Sequence, residues 1–344
     1  MINNIVDGMI SFKRLEMEDV PWDELSDYKG ANIFHTRPWI KFIQDAKRAE
    51  PVVAAVQSDG QVQGYFMGFI TQKYGLRILG SPFRGWGTYF MGFTLKPDVS
   101  YHDILQAFPK FAFHELKCHY LEITDINLKK DELKGLPYRV EQLQWFLLDL
   151  TKSEEELFAN MKSKSGRRAI RRAIKKGVVI EETTDPGLAD EYYAQYQEVL
   201  AKKNLVPTYS LEFVRQMISQ LLPTGNLLLL RARNSEGVCI STYIYLVLNK
   251  VAVGWGAASW HQFEGLNPNE LEIWYTMKKL KTMGVEVLHM GGEAEEFKKK
   301  LGCYEAEILR LMKPKNPFLN IPLYIASSLR SSRMRNWVLK RIGR

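Results

Sequence analysis

The chain has 344 residues with 47 Lys+Arg against 39 Asp+Glu, a net charge of +8. Its 46% hydrophobic content and 8 Trp are ample for packed cores, and the length suggests about two domains. Three scattered cysteines, Cys118, Cys239 and Cys303, show no CxxC spacing, which argues against a disulfide framework or a structural zinc site and fits a reducing cytoplasm.

In chain order, "MINNIVDGMISFKRLEMEDV" places charges where a signal peptide needs an apolar core. No apolar run approaches the ~18 residues of a membrane-spanning helix. The expectation is a cytoplasmic protein, with peripheral contact at the inner face of the membrane as an extension. "PVVAAVQ" reads as a strand, "SDG" as a hairpin turn and "GYFMGFITQKYG" as a longer strand. "LRILGSPFRGWGTYF" runs from a strand into a Gly-rich aromatic loop. Ile104, Leu105, Phe108, Phe111, Ala112 and Leu116 recur at helical spacing, and "HYLEIT" is a short buried strand. The second half repeats the order: "NLLLLRAR", "NSEG", "VCISTYIYLVLN", "KVAVGWGAAS", then the helix "NPNELEIWYTMKKLKTMG" and the strand "VEVLHMGG". Pro268 near the helix start and Gly284 past its end punctuate that helix. The pattern predicts a duplicated α/β unit.

Between the halves lies "MKSKSGRRAIRRAIKKG", residues 161–177, with eight basic residues and no acidic one. Without these eight the chain carries 39 basic and 39 acidic residues, so the excess charge is local. Ser153 and Glu156 form a capping-box pattern that starts a helix, Gly177 ends one, and "SKSG" is a place where it can break. Arg167/Arg171/Lys175 and Arg168/Arg172/Lys176 stack like charges at i, i+4, which is unfavourable without a partner. A solvated face paired with acids elsewhere in the fold is the plainer explanation. Eight charges of one sign favour anion binding, with Arg167, Arg168, Arg171 and Arg172 as its centre.

Several motifs together resemble the Fem-type aminoacyltransferases and their acyl-CoA-using relatives. They are "KSKSGRRAIRRAIKKGVVIEE", "GWGAAS", "LNPNELEIWYTMKKLKTMGVEVLHMGG", "EEFKKKLG" and, upstream, "FHTRPWIKF". They follow in the family's order across residues 34–311. The resemblance implies two tandem GNAT-like domains, each a mixed, mostly antiparallel sheet flanked by helices. The domain limits are then 1–150 and 151–312, with a basic amphipathic tail over 313–344. It also implies transfer of an acyl or aminoacyl group to an amine of a cell-envelope precursor, an amino sugar or a peptide. No permanently bound cofactor is implied; the donor substrate is acyl-CoA or aminoacyl-tRNA. The expected partners are a nucleotide-linked or lipid-linked precursor, tRNA, and an anionic membrane surface.

The same resemblance carries Lys298 over as the catalytic contact to an oxyanion or phosphate. By sequence spacing "EEFKKK" also reads as a solvated helix with Glu295–Lys299 and Glu296–Lys300 pairs, which leaves Lys298 out. Arg37, Trp39 and Lys41 in "TRPWIK", and Arg84 and Trp86 in "PFRGWG", set cations beside aromatics, which suits a nucleotide diphosphate or a sugar. Trp39 reads equally as core. Lys203 and Tyr209 fall near the family's precursor-binding positions, and Trp255 stands in place of a family Tyr. His289 replaces the family's Asp and reads as a strand-end histidine, and no histidine spacing suggests a metal. The pyrophosphate loop of ordinary GNAT enzymes, "Q/R-x-x-G-x-G/A", is missing before the 267–284 helix. Two further readings remain open: an aminoacyl-tRNA-dependent peptidoglycan bridge ligase, and a non-catalytic nucleic-acid-binding protein. The latter lacks any helix-turn-helix, zinc-finger or RNP signature.

Overall fold

The computed structural model describes residues 9–316 apart from 26, 27, 29, 74 and 98. The described chain divides into two units, one of residues 9–143 with 308–316 and one of residues 144–307. The basic tail expected over 313–344 therefore begins inside a strand at Lys313, and from residue 317 it lies outside the described residues.

The first unit opens with β1 (Ile10–Leu15), the short helix α1 (Trp22–Leu25) and α2 (Arg37–Lys47). β2 (Glu50–Ser58), β3 (Gln61–Lys73) and β4 (Leu76–Ser81) follow as an antiparallel run, and β5 (Gly92–Leu95) pairs with the other end of β3. The helix α3 (Tyr101–Lys110) then leads to β6 (Tyr120–Asp125), parallel to β4. Phe12, Phe66, Phe93, Phe108 and Phe111 interlock in its core, with ring centroids 4.5 Å apart for Phe66–Phe108 and 5.1 Å for Phe12–Phe111.

β7 (Arg139–Asp149) enters the second unit at residue 144. Then come α4 (Glu154–Asn160), α5 (Arg168–Lys175), β8 (Val179–Thr183), α6 (Leu188–Lys202) and α7 (Leu211–Leu221). β9 (Leu227–Arg233), β10 (Cys239–Leu248) and β11 (Val251–Ser259) are antiparallel, and α8 (Pro268–Thr282) crosses to β12 (Val287–Gly291), parallel to β11. The helix α9 (Glu295–Lys300) precedes β13 (Tyr304–Pro314), whose residues from 308 belong to the first unit.

Both units thus follow the repeat expected from sequence, three antiparallel strands, a helix and a parallel strand. The sheet orders are β1-β2-β3-β4-β6-β13 and β8-β9-β10-β11-β12-β7. What the sequence does not announce is the source of the last strand in each. β13, following the second repeat, pairs antiparallel with β6, and β7, following the first, pairs antiparallel with β12. The division consequently falls at 143/144 with a return at 308, where 1–150 and 151–312 are expected from sequence. β10 is buried along nearly its whole length, which is why its sequence is apolar without alternation.

Candidate active site

The site is built where β11 and β12 part. Their parallel ladder covers only Val251–Val253 against Val287–His289. β11 then bulges: Tyr245 faces Gly254 and Ile244 faces Gly256, so Trp255 is the extra residue, and the strand continues beside β10 to Ser259. β12 ends at Gly291 with φ +82°. In α/β folds, ligands bind at the carboxyl ends of strands where neighbours separate.

Lys298 sits beside that end. On α9 it faces inward and is 6% exposed, with Nζ 5.5 Å from the centroid of the Phe146 ring. Gly291 lies next to it, the place of a Cβ on that residue being 3.6 Å from Nζ, an ordinary van der Waals distance. Burial lowers the Lys298 pKa to about 8, and the charges of Cys303 and Glu293 offset part of that fall. Glu295 pairs with Lys299 as the spacing predicts. Glu296 and Lys300 do not pair. Lys300 turns instead to Glu270 in the first turn of α8, at 2.6 Å, and Glu296 lies 4.0 Å from Lys162.

On β12, His289 is buried, and that burial lowers its pKa to about 4. The Trp145 indole N–H donates to its Nδ1 at 3.2 Å, so the ring is neutral with its proton on Nε2. The strand-end, non-ligand reading of His289 fits this arrangement.

A wall of aromatic rings covers the bulge. Trp255 is buried, 5.2 Å from Tyr209, which stacks on Tyr196 at 5.1 Å, and the Tyr192 and Tyr209 hydroxyls share a 2.6 Å hydrogen bond. Sequence placed Tyr209 and Trp255 in one site, and the structure brings them together. Lys203 is exposed at the end of α6.

In the first unit, the candidates separate. Arg37 is exposed at the first position of α2, and Lys41, one turn on, pairs with Asp45 at 3.3 Å. Arg84 lies 3.6 Å from Glu141, and Trp86 is half-buried against Phe83. Trp39 is corrected: it is fully buried, packs on Phe34 and Phe42, and donates its indole N–H to Thr88 at 3.0 Å. It is a core residue with its polar atom satisfied, not a substrate contact.

The basic segment breaks where "SKSG" allows. α4 opens with both bonds of the Ser153–Glu156 capping box, Met161 after its end is extended, and a wide turn over Ser163–Arg167 leads into α5. The break follows from packing against α9: Lys162 N–H donates to the Lys300 carbonyl at 2.8 Å, and Gly166 faces that same carbonyl. α5 buries Ala169, Ile170 and Ala173 and exposes Arg168, Arg171, Arg172 and Lys175. Among the described residues, none of Arg167, Arg168, Arg171 and Arg172 has a carboxylate within ion-pair distance. The pairing with distant acids, the plainer explanation, does not occur at these four among the described residues.

Residues 162–299 match the family described as an acetyltransferase (GNAT) domain. Over that segment the chain is similar to GNAT acetyltransferase domains. Its fold is similar to the crystal structure of FemX, with a TM-score of 0.71 at 15% identity, covering 91% of this chain and 99% of that one. It is similar to L-PGS from Bacillus licheniformis, with a TM-score of 0.55 at 14% identity, covering 89% of this chain and 94% of that one. It is also similar to the tandem GNAT protein from the clavulanic acid biosynthesis pathway, with a TM-score of 0.50 at 12% identity, covering 90% and 99%. A comparison with curated proteins finds no match.

Sequence reasoning passed over one residue of the matched segment. Glu272 is wholly buried on α8; its Oε1 accepts from Thr276 at 2.6 Å, and Oε2 has no hydrogen-bond partner. Burial raises its pKa to about 8, so it is a neutral acid at pH 7, with the Thr276 and Tyr245 hydroxyls opposing the shift. A signal was present: Glu272 and Thr276 lie in line with Ile273, Met277 and Leu280, the buried stripe of α8.

Proposed function

We propose that this acyltransferase moves an acyl or aminoacyl group onto an amine of a cell-envelope precursor, an amino sugar or a peptide, by direct attack in the second unit. The observation that carries the reading is Lys298, a buried cation at the end of β12 where the parallel strands part. The neutral amine attacks the carbonyl carbon of a thioester or ester, and the carbonyl oxygen takes the negative charge. Lys298, protonated below about pH 8, donates to that oxygen from surroundings poor in water, where such a bond has most effect. The tetrahedral intermediate then expels the thiolate or alkoxide, which leaves with the proton given up by the amine.

The envelope acceptor is supported by the ordered Fem-type motifs and by the likeness of the fold to FemX. Acyl-CoA is the donor usual for the GNAT class. Aminoacyl-tRNA is the second reading, favoured by the four arginines that lack carboxylate partners among the described residues. Thermal-shift titration with acetyl-CoA, aminoacyl-tRNA and UDP-linked amino sugars separates the donors and exposes the acceptor. Stabilisation by none of the three, with no transfer to any amine tested, would overturn the reading.

A further inference from the structure

The broad cationic face of α5 differs from an ordinary phosphate site in one respect: it carries apolar groups at its surface. Ile174 is 58% exposed in the last turn of the basic helix, and Val179, in the strand that follows, is 62% exposed. Phe158 and Trp274 are half-buried, with centroids 5.0 Å apart. Arg171 lies over the Phe158 ring at 5.6 Å and Lys278 over the Trp274 ring at 5.5 Å.

We infer that this face docks on an anionic lipid bilayer. The inference rests on the anion-binding reading of α5 and names its partner. Arg168, Arg172 and Lys175 are exposed and, among the described residues, have no carboxylate within ion-pair distance. An external anion relieves the repulsion between like charges one turn apart. Nucleic acid would supply phosphates, but a single strand also needs open aromatic faces for its bases. Here a side-chain cation already covers each of the two rings, and an exposed isoleucine gains nothing from a phosphate backbone. A bilayer interface takes both kinds of group. Lys and Arg meet the headgroups with their stems along the apolar boundary, and isoleucine and aromatic edges enter it.

The experiment is co-sedimentation of the full chain with phosphatidylcholine vesicles, with and without phosphatidylglycerol, across a salt titration. The wild type binds the anionic vesicles only, and more weakly as salt rises. Lys175→Gln weakens binding roughly fivefold, the effect of one interfacial cation. Ile174→Asn, which leaves every charge in place, also weakens vesicle binding about fivefold while leaving tRNA binding unchanged. Wild-type binding that ignores phosphatidylglycerol overturns the inference. So does an Ile174→Asn protein that binds the anionic vesicles as tightly as the wild type, which would mark a contact to phosphate alone. Turnover on soluble donor and acceptor is measured alongside. Loss of the lipid contact leaves that turnover intact, whereas failure of the acyl-transfer reading abolishes it whatever the vesicles do.

Discussion

Lys298 is the lysine of its run that the neighbouring carboxylates leave out. Glu295 takes Lys299 and Glu270 takes Lys300, so the remaining lysine of the run turns inward against Phe146 and Gly291. Replacing it by Met should lower kcat by roughly a hundredfold or more, the usual effect of losing one oxyanion donor. Stability should not fall. Because the folded pKa of about 8 lies below that of an ordinary lysine, the native state releases this proton first. Wild-type stability therefore rises as pH climbs from about 8 toward the ordinary lysine range, and burying the charge at lower pH is a cost the Met variant lacks. The transfer rate should follow the opposite course, holding at neutral pH and falling as pH rises through about 8. In Lys298→Arg the guanidinium stays charged, and any residual activity should lose that fall. A kcat within threefold of wild type in Lys298→Met would return the residue to a packing role. Glu272 gives a second titration. Its folded pKa of about 8 exceeds the ordinary carboxylate value, so its stability contribution is complete at acid pH and is lost as pH rises to about 8. Glu272→Gln should remove that slope, so its melting temperature relative to wild type should increase from pH 5 to pH 8.

At the scale of elements, the signals that could be read from sequence were those written in local chemistry. The capping box at Ser153 and Glu156 starts α4 as expected, and Pro268 and Gly284 bound α8, with Gly284 at φ +78° just past its end. The turn over Ser163–Arg167 was only a place where a break was allowed, because what imposes it is the Lys300 carbonyl, far along the chain. A Cβ on Gly166 would lie 2.8 Å from that backbone oxygen. Gly166→Ala must then push α9 away. It should cost about 1–3 kcal/mol, as overpacking does, and lower kcat as well, because α9 carries Lys298. Chemical denaturation and steady-state kinetics on the same preparation test both effects. Unchanged kinetics in a destabilised variant would uncouple the basic segment from the site. Reversal of Arg168, Arg171 and Arg172 to Glu alters only exposed groups of α5 and should leave the melting temperature near wild type. It should abolish turnover with any donor or acceptor that the helix holds by charge. Full activity in the folded triple variant would make the helix a solvated face.

For the molecule as a whole, the repeat was legible because each copy has a helix-period segment between strand-like runs. The exchange of last strands was not, because β7 and β13 are ordinary strands whose partners depend on where the chain travels next. "YEAEILRLMKP" alternates only weakly, and nothing in it names β6 as its neighbour. Yet the pairing is extensive. Leu309 through Pro314 lie opposite Asp125 through Tyr120, and Leu309 and Leu311 are 2% and 0% exposed in the aromatic core of the first unit. The first unit should therefore depend on residues encoded after the last transferase motif. A fragment of residues 1–143 leaves the β6 edge unpaired and uncovers Leu121 and Ile123, both fully buried in the whole chain. It should aggregate or unfold without a cooperative transition. The same fragment joined by a flexible linker to residues 304–316 should regain a sigmoidal urea transition by circular dichroism. In the intact chain, Leu311→Ala should cost about 2–5 kcal/mol and destabilise the first unit before the second. A soluble 1–143 fragment that unfolds cooperatively on its own would mean that the returning strand completes the sheet without being needed to form it.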